Sequence, residues 1–401
     1  MKILFADQIP KEFRDQLVES GHEVCFSPDL NADTLADNIS DNGVLVVRST
    51  KVTAATIEAG EHLSLIVRAG AGTNTIDKQA AADRGVYVTN VPGKNAIAVA
   101  ELAMGLLLAI DRRIADNVVD LRDDRWNKKV YSTADGLFGK NVAIIGVGAI
   151  GLAFAERARA FGITPHALRK DGRSSDTENK IRAAGIRLVD SEDELLSLAD
   201  VVSLHVPASP QTVGMVDSEF LARMKPNAIL LNTSRGEVID EAALINALDN
   251  GLRAGVDVYC DEPSSGSGTF TSKLAQHPNV VGTHHIGAST DQSQNATSTG
   301  VVAVIDAYGD GRVFNCVNMQ DSAEATASLI VRHYDRVGVL AQVFAVLRRS
   351  GINVGAMENS IFAGSNAAVA TIDIAGALGE DVLETIGQID EVIQASAWKR
   401  S

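Results

Sequence analysis

A glycine motif directly after the apolar segment NVAII is the feature that most restricts how this chain can fold. Gly146, Gly148 and Gly151 fill the fixed positions of G-x-G-x-x-G, and Ala149 and Ile150 open an apolar helical pattern. In a strand–turn–helix unit the first glycine makes the tight turn, the second lets a pyrophosphate approach, and the third lets the helix pack on the strand. The helix N-terminus adds unpaired N–H groups that attract anions. The segment therefore predicts a dinucleotide site, with glycines that serve only packing as the alternative.

The rest of the chain alternates apolar runs with amphipathic stretches. KILFA, VLVVR and SLIVR precede a long apolar helix at 96–110, and NVAII, VVSLHV and AILLNTS follow it. Continuous apolar runs of this length are typical of parallel strands that helices cover on both faces. After about residue 320 the pattern becomes βαββαβ, the order of a ferredoxin-like domain. The sequence thus predicts an α/β protein with two doubly wound parallel sheets and a smaller ferredoxin-like domain.

The charge and the cysteine content exclude several classes of function. Lys and Arg total 36 against 51 Asp and Glu, and the net charge of −15 repels nucleic acids and anionic membranes. The apolar stretch at 96–110 contains Glu101 and is shorter than the ~20 residues of a membrane span. Cys25, Cys260 and Cys316 are far apart, so neither a disulfide framework nor a metal site is expected. We predict a cytoplasmic protein without nucleic-acid or membrane partners.

The end of the second strand after the glycine motif indicates which dinucleotide is bound. Enzymes that use NAD usually carry an Asp or Glu there, which accepts hydrogen bonds from the ribose hydroxyls. This chain instead reads ALRKDGR, with Arg169, Lys170 and Arg173, and its nearest acid, Asp171, lies in the turn beyond the strand. These cations would attract a 2′-phosphate through charge-assisted hydrogen bonds. NADP is therefore favoured over NAD, and a solvated basic loop is the alternative.

Three further segments carry residues suited to acid–base chemistry. They are LLNTSRGEVID with Arg235, GVDVYCDEP with Asp257 and Glu262, and HPNVVGTHHIGAST with His285. Together with GVGAIG and SLHVPASPQT, they resemble the signature segments of the D-isomer-specific 2-hydroxyacid dehydrogenases, over roughly residues 40–315. The resemblance implies that Arg235 holds the substrate, that His285 is the general acid/base, and that Glu262 is the acid behind the histidine.

The same resemblance implies the remaining cofactor contacts. Asp257 would face the nicotinamide carboxamide, and SLHVPASPQT and the strand end NTS would line the cofactor. One position departs from the family pattern, because His284 stands where proline is typical; His285 is identified by its place before IGA. The predicted lining residues of these two segments are His205, Val206, Pro207 and Thr233.

These residue types suit the chemistry independently of the resemblance. Reduction of a 2-keto acid needs a proton on the carbonyl oxygen as a hydride reaches the carbon, and a histidine can donate and recover that proton near neutral pH. A carboxylate against the other ring nitrogen orients the ring. The planar guanidinium of an arginine can hold a substrate carboxylate through two hydrogen bonds. Each residue alone also has a structural explanation, but their joint occurrence after a nucleotide motif favours catalysis.

The amino-terminal segments indicate the substrate class. VVRSTKVT, LIVRAGAGTNTID and NVPGKNAIAVAEL resemble the members of the family that act on D-3-phosphoglycerate. The resemblance implies that Arg48, Arg68 and Lys94 supply positive charge to a substrate phosphate; two surface arginines at strand ends are the alternative. The other predicted substrate contacts are Ala71, Gly72 and Asn95, the first two through backbone N–H groups that receive the carboxylate.

The carboxyl-terminal segment SLIVRHYDRVGVLAQVFAVLRRSGINV resembles the ACT domain, a small regulatory module that binds amino acids. In members that bind serine, a histidine and two asparagines hold the effector. His333 and Asn353 match that pattern, but Asp335 stands where asparagine is usual. The resemblance implies either an amino-acid effector or a domain that serves dimerisation only.

These resemblances together imply three domains and a function. A flavodoxin-like substrate-binding domain would comprise 1–98 and 288–320, a Rossmann-like dinucleotide-binding domain 99–287, and the ACT domain 326–401, with SSGSG at 264–268 as a loop and QDSAEAT as a polar boundary. The expected reaction is hydride transfer between a nicotinamide cofactor and a D-2-hydroxy acid, here D-3-phosphoglycerate to 3-phosphohydroxypyruvate in serine biosynthesis, by a homodimer or homotetramer. The alternatives are an NADP-linked reductase of glyoxylate, hydroxypyruvate or another 2-keto acid, and a non-catalytic nucleotide-sensing scaffold.

Overall fold

The computed structural model of the protein describes residues 1–263, 268–319, 326–364, 366–376 and 378–399. The chain divides into two compact units, Met1–Asn318 and Met319–Ser401. Most of the predicted loop SSGSG and of the predicted boundary QDSAEAT lies outside the described residues. The finer division of the first unit into a substrate-binding and a dinucleotide-binding domain stays a prediction.

The first unit begins with a sheet of five short strands, each a run of apolar residues. The strands are β1 (Lys2–Phe5), β2 (Glu23–Phe26), β3 (Val44–Val47), β4 (Leu65–Arg68) and β5 (Tyr87–Asn90), and the helices between them are α1 (Lys11–Glu19), α2 (Ala54–Ala59) and α3 (Lys78–Asp83). All pairs are parallel, in the order β2-β1-β3-β4-β5, which is the flavodoxin-like order. Buried clusters cover both faces of the sheet.

Helix α11 (Asp291–Gly309), near the carboxyl-terminal end of the first unit, packs against this first sheet. Its residues Val301 and Ile305 pack in one buried cluster with Ile3 of β1 and Val44 of β3. Residues from both ends of the first unit therefore build one core.

The second sheet of this unit has seven parallel strands. They are β6 (Asn141–Ile145), β7 (Thr164–Leu168), β8 (Arg187–Val189), β9 (Val201–Leu204), β10 (Ile229–Asn232), β11 (Arg253–Val256) and β12 (Val280–Gly282). Their order is β12-β11-β10-β9-β6-β7-β8, so the direction of winding reverses between β6 and β9, where doubly wound sheets open a ligand crevice. The predicted α/β architecture with parallel sheets is confirmed.

In the part of the first unit that the structure describes, seven helices accompany the second sheet. They are α4 (Ala96–Arg112), α5 (Ile114–Arg122), α6 (Ala149–Ala160), α7 (Ser175–Ala183), α8 (Glu192–Leu198), α9 (Ser218–Ala222) and α10 (Glu241–Asp249). Helix α4 is the long apolar helix of the sequence, and it packs Leu107 and Ile110 against Ile144 of β6. Asn95 precedes it as predicted, but its side chain makes no capping hydrogen bond. Within the described part of the chain, no helix is long and apolar enough to cross a membrane.

The second unit has the predicted βαββαβ order. Its elements are β13 (Ala327–Tyr334), α12 (Val339–Arg349), β14 (Val354–Ile361), β15 (Ala367–Ile374), α13 (Glu380–Gly387) and β16 (Val392–Lys399). The four strands form an antiparallel sheet in the order β14-β15-β13-β16. Apolar residues of both helices, including Val343 and Ile386, pack on this sheet with Leu329 and Ile372. This is a ferredoxin-like arrangement.

Candidate active site

The glycine turn between β6 and α6 has the shape that a pyrophosphate requires. Gly146 has φ +105°, and a Cβ there would collide with the backbone oxygen of His205. A Cβ at Gly151 would collide with the oxygen of Gly146, so glycine is needed for the helix to start this close to the strand. Gly148 has open space around it, and no side chain caps the helix N-terminus. The first N–H groups of α6 are therefore open to a dinucleotide phosphate.

The end of β7 carries the three predicted cations, but their contacts differ. Arg169 Nε donates to Asp190 Oδ1 at 2.8 Å, and the Arg169 side chain is 56% exposed. Lys170 is exposed as well. Arg173 folds back, so that its Nη2 donates to the carbonyl oxygen of Leu168 at 2.8 Å and its side chain is 12% exposed. Arg169 and Lys170 are thus accessible to a ligand at this strand end, whereas Arg173 holds the loop.

His285 and Glu262 form a hydrogen-bonded pair. His285 Nδ1 lies 2.6 Å from Glu262 Oε2, and the backbone N–H of Tyr259 donates to Glu262 Oε1 at 2.9 Å. Burial of the Glu262 carboxyl opposes its ionisation, but the bonds from His285 and Tyr259 outweigh burial and lower the pKa of Glu262 below its usual value. Glu262 is therefore an ionised acceptor, and Nδ1 of His285 carries the proton. In the described part of the chain, His285 Nε2 has no partner.

The loop that presents His285 is built around the buried carboxylate of Asp257. Asp257 Oδ1 accepts from Thr283 Oγ1 at 2.6 Å and from the N–H of Ile286 at 2.9 Å, and Oδ2 accepts from the N–H of Gly287 at 2.8 Å. These bonds hold His285 at φ +51°, a left-handed conformation that is costly for a residue with a side chain. The predicted contact of Asp257 with a nicotinamide carboxamide stays a prediction.

Two glycines of the segment RAGAG make room for two guanidinium groups. A Cβ at Gly70 would collide with Nη1 of Arg68, and a Cβ at Gly72 would collide with Nη2 of Arg235. Arg235 Nη1 donates to the carbonyl oxygen of Ser234 at 2.6 Å. Burial, together with the charges of Arg235 and Arg48, lowers the pKa of Arg68 to about 10, so Arg68 stays protonated at neutral pH.

This arginine cluster has no matching carboxylate. Among the described residues, Arg48, Arg68 and Arg235 form no ion pair within 4.0 Å, and the buried Nε of Arg68 has no hydrogen-bond partner. The backbone N–H groups of Ala71 and Gly72 likewise have no acceptor in the described chain. Three cations and two free N–H groups beside a histidine are the donors that an anionic ligand would use.

Two neighbouring clefts collect most of the predicted residues. The larger, of about 290 Å³, is lined by His285, Arg235 and Arg68, and the smaller, of about 60 Å³, by Arg68, Arg48, Gln8 and Gln294. Further predicted residues that line the larger cleft are Ala71, Gly72, Asn95, Ile150, His205, Val206, Pro207, Thr233 and Asp257.

Some predictions fall outside these clefts, and some lining residues were not predicted. Lys94 is exposed and lines neither cleft. The lining residues that the sequence did not single out are Val99, Ala208, Ser234, Gly287 and Ala288. Val99 carries no chemical signal because it is one of many apolar residues of α4.

His205 is not a second acid or base, although it lines the cleft. Its Nε2 lies 2.9 Å from Ser203 Oγ, and its ring packs against Phe154 with 5.3 Å between the ring centroids. Burial of the ring lowers the pKa of His205 to about 3, so the ring is neutral at neutral pH. Of the histidines that line the larger cleft, only His285 combines exposure with a carboxylate partner.

Comparison with known proteins identifies the family of the chain. The family model described as the NAD-binding domain of D-isomer-specific 2-hydroxyacid dehydrogenases matches residues 104–287. A hydroxypyruvate reductase of Thermotoga maritima is 39% identical over 302 residues, which cover 75% of this chain and 95% of that protein. A D-3-phosphoglycerate dehydrogenase of Methanocaldococcus jannaschii is 39% identical over 328 residues, 80% of this chain.

The chain spans 60% of the length of the Methanocaldococcus protein. Among solved structures, an acyclic imino acid reductase in complex with NADPH and D-arginine superposes with a TM-score of 0.69 at 26% identity, over 79% of this chain and 100% of that one. The glycine turn, the His285–Glu262 pair and Arg235 lie within the residues that the family model matches. The chain belongs to the D-isomer-specific 2-hydroxyacid dehydrogenase family.

Proposed function

We propose that the protein is a nicotinamide-dependent dehydrogenase that interconverts D-3-phosphoglycerate and 3-phosphohydroxypyruvate, as in serine biosynthesis. The observation that supports this substrate is the arginine cluster, in which Arg68 lies beside Arg235 of the larger cleft and Arg48 of the smaller one. None of the three pairs with a carboxylate among the residues that the structure describes. A substrate with a carboxylate at one end and a phosphate at the other supplies the two missing anions. The named activity of the Methanocaldococcus relative supports the same substrate.

The chemistry assigns a role to each residue of the site. A bound nicotinamide supplies or accepts a hydride, and the glycine turn with the open N-terminus of α6 would hold the pyrophosphate. Arg235 and the N–H groups of Ala71 and Gly72 bind the substrate carboxylate and fix which face of the keto carbon is presented. Reduction uses the imidazolium form of His285, which carries one proton on Nδ1, bonded to Glu262, and a second proton on Nε2. The Nε2 proton passes to the keto oxygen during reduction, and during oxidation the hydroxyl proton of the substrate returns to Nε2.

The distal charge of the substrate would be held in the smaller cleft. Arg68 lines both clefts, so a three-carbon phosphorylated acid that extends from one cleft into the other would lie beside it. The test is a comparison of kcat/KM for 3-phosphohydroxypyruvate and hydroxypyruvate in the parent enzyme and in Arg48→Ala. A phosphate site predicts a parent that prefers the phosphorylated acid and a variant that loses the preference. Equal rates on both acids in the parent would contradict the proposed substrate.

A reductase of glyoxylate or hydroxypyruvate is the second candidate. It is favoured by the Thermotoga relative, whose name is hydroxypyruvate reductase and of which this chain covers 95%. In that case Arg48 would bind no substrate group, and the same comparison of the two acids would show the higher kcat/KM with hydroxypyruvate. A nucleotide-sensing scaffold, the remaining alternative, would show no turnover with either acid.

For the cofactor we propose NADP in preference to NAD. The exposed Arg169 and Lys170 at the end of β7 support this choice, since they occupy the position where a ribose-binding acid would repel a 2′-phosphate. The structural relative in complex with NADPH is consistent with it. The neighbouring Asp190, which pairs with Arg169, reduces the positive charge and limits the expected preference.

We propose that residues 326–401, which lie within the second unit, form an ACT module, on the basis of the ferredoxin-like arrangement of that unit. His333 is buried, and its Nε2 lies 3.2 Å from Asn359 Oδ1, a partner that the sequence did not single out. Asp335 is half-buried and Asn353 exposed, so the predicted effector residues remain accessible only in part. A serine-dependent change in rate would support an effector site; no response to serine would leave dimerisation as the role.

We further propose that the protein forms a homodimer or homotetramer and is located in the cytoplasm. The three cysteines are free, as a reducing compartment favours. Helix α5 buries none of its residues: Ile114, Val119 and Leu121 are exposed, and so is Trp126, a few positions further along the chain. The segment 111–129 contains six Lys and Arg and five Asp, so it is nearly neutral although the whole chain has a net charge of −15. Two copies of this segment can therefore pack together without strong charge repulsion. Sedimentation of Leu121→Asp against the parent tests this: a monomeric variant supports the interface, and an unchanged mass contradicts it.

A further inference from the structure

The smaller cleft is shaped by an aspartate outside the predicted site. Asp7 follows β1, and the loop Arg48–Thr50 follows the neighbouring strand β3. Asp7 Oδ2 accepts three consecutive backbone N–H groups, from Arg48 at 2.6 Å, Ser49 at 3.1 Å and Thr50 at 3.0 Å. Successive N–H groups that converge in this way form a nest, which binds an anion. Here the anion belongs to the chain itself.

The same loop is also fastened to the backbone beside Asp7. Thr50 Oγ1 donates to the carbonyl oxygen of Ala6 at 3.2 Å, and the N–H of Ala6 donates to the carbonyl oxygen of Val46 at 3.1 Å. The loop is thus fixed to the end of β1 at the point where Arg48 leaves the sheet. Asp7 forms no ion pair within 4.0 Å with Arg48 or Arg68, so its carboxylate holds the backbone and leaves both guanidinium groups free.

We propose that Asp7 is a positioning residue, which orders the Arg48 loop and thereby sets the preference for substrates with a second anionic group. This inference rests on the proposed function, in which Arg48 and Arg68 receive that group. The two explanations of Asp7, positioning and simple electrostatics, predict opposite changes in substrate binding when its charge is removed. Asp7 is a negative charge near two substrate-binding cations, so its neutralisation should strengthen anion binding if charge alone matters. A positioning role predicts weaker binding instead.

The test compares Asp7→Asn and Asp7→Ala with the parent on 3-phosphohydroxypyruvate and hydroxypyruvate. Asp15→Asn is the matched control, because it removes the same charge from the same sheet domain, where Asp15 pairs with the exposed Lys11. A charge-assisted hydrogen bond contributes about twice as much as a neutral one. Asp7→Asn, which keeps an acceptor oxygen, should therefore lower kcat/KM for the phosphorylated acid roughly three- to tenfold. Asp7→Ala, which removes the acceptor, should lower it about ten- to a hundredfold. The loss should lie in KM, and hydroxypyruvate should be affected less than about twofold.

Hydrogen exchange at the amides of residues 48–50 provides a readout that does not depend on the substrate. Exchange should become faster in the Asp7 variants and stay unchanged in Asp15→Asn. Phosphate-specific loss together with faster exchange supports the proposal. Unchanged or improved use of the phosphorylated acid, or an equal loss on both acids, overturns it while leaving the proposed function intact. A parent without preference for the phosphorylated acid contradicts the proposed substrate itself and removes the Asp7 role with it. Asp7→Asn keeps the side-chain volume and an acceptor oxygen, so it decides the matter if Asp7→Ala does not fold.

Discussion

Gly72 lies where any side chain would collide with the Arg235 guanidinium, although the two residues are 163 positions apart in the chain. Gly72 has no positive φ, so its backbone would accept an alanine. The group in the way is the far end of a flexible side chain, which can move. The glycine is therefore required by the position of Arg235 rather than by the fold.

Gly72→Ala should displace the Arg235 guanidinium and weaken substrate binding without unfolding the protein. We expect KM for the keto acid to rise about ten- to a hundredfold, because one or two charge-assisted hydrogen bonds to the substrate are lost. Cofactor affinity should change little. Steady-state kinetics and thermal unfolding measure both effects. Gly105→Ala in α4, where a Cβ would meet nothing, is the control and should keep the parent KM. An unchanged KM in Gly72→Ala would mean that Arg235 does not bind the substrate from this position.

His285→Ala should remove most turnover while cofactor still binds. Loss of a general acid/base typically costs 10²–10⁴-fold in rate. His284→Ala is the matched control because His284 is exposed, adjacent in sequence and does not line the cleft. Stopped-flow reduction with titration of the cofactor separates chemistry from binding. A His284 variant with the larger loss would reverse the assignment of the two histidines.

Glu262→Gln should lower kcat about ten- to a hundredfold, because the ring loses a charge-assisted bond to Nδ1. The stability effect depends on pH. Since the folded-state pKa of Glu262 lies below its usual 4.5, the carboxylate stabilises the fold above that value, and this contribution is lost as the pH falls through the lowered pKa. Urea unfolding at pH 7 and pH 3 should therefore show a difference between parent and variant that shrinks at pH 3. A difference that grows at low pH would contradict the ion pair.

Arg169→Asp should shift coenzyme use toward NADH. It removes a cation and adds a carboxylate beside Asp190, which together repel a 2′-phosphate. The measurement is the ratio of kcat/KM for NADPH and NADH. Arg173→Gln is the comparison variant, because Arg173 is turned toward the Leu168 carbonyl and should affect the ratio much less. A parent that uses both coenzymes equally, with an Arg169 variant that does not shift, would show that the strand end is a solvated loop.

The sequence predicted the parts of the site that a motif encodes directly. The glycine turn follows from a local pattern whose spacing reflects one strand and one turn. His285 and Arg235 were assigned from the resemblance of the segments that carry them to a known family, and their catalytic roles stay predictions. Their partners across the fold were harder to predict. Asp257 was assigned to a nicotinamide contact, yet its oxygens accept hydrogen bonds from the loop 283–287, which no spacing in the sequence could show.

Two other details depend on tertiary contacts. Arg173 looks like Arg169 in the sequence, but only the fold turns one toward a carbonyl and leaves the other exposed. Asp7 carries no motif at all; its role depends on β1 lying beside β3, so that the two strand ends meet. Lys94 shows the reverse case, since it lies in a segment that resembles a substrate-binding one but lines neither cleft, and its predicted role stays a prediction.

The return of α11 to the first sheet also determines when that sheet can be completed on the ribosome. Its core needs Val301 and Ile305, and the N–H of Val88 in β5 donates to Asn318 Oδ1 at 2.8 Å, so strands finished by residue 90 wait for more than two hundred further residues. At about 5–20 residues per second this is a delay of roughly 10–40 s, during which apolar surface of the first sheet stays uncovered. The seven-stranded sheet, whose strands lie within residues 141–282, is complete earlier in synthesis. Of the two parallel sheets, the one that is synthesised first is therefore the later to be buried.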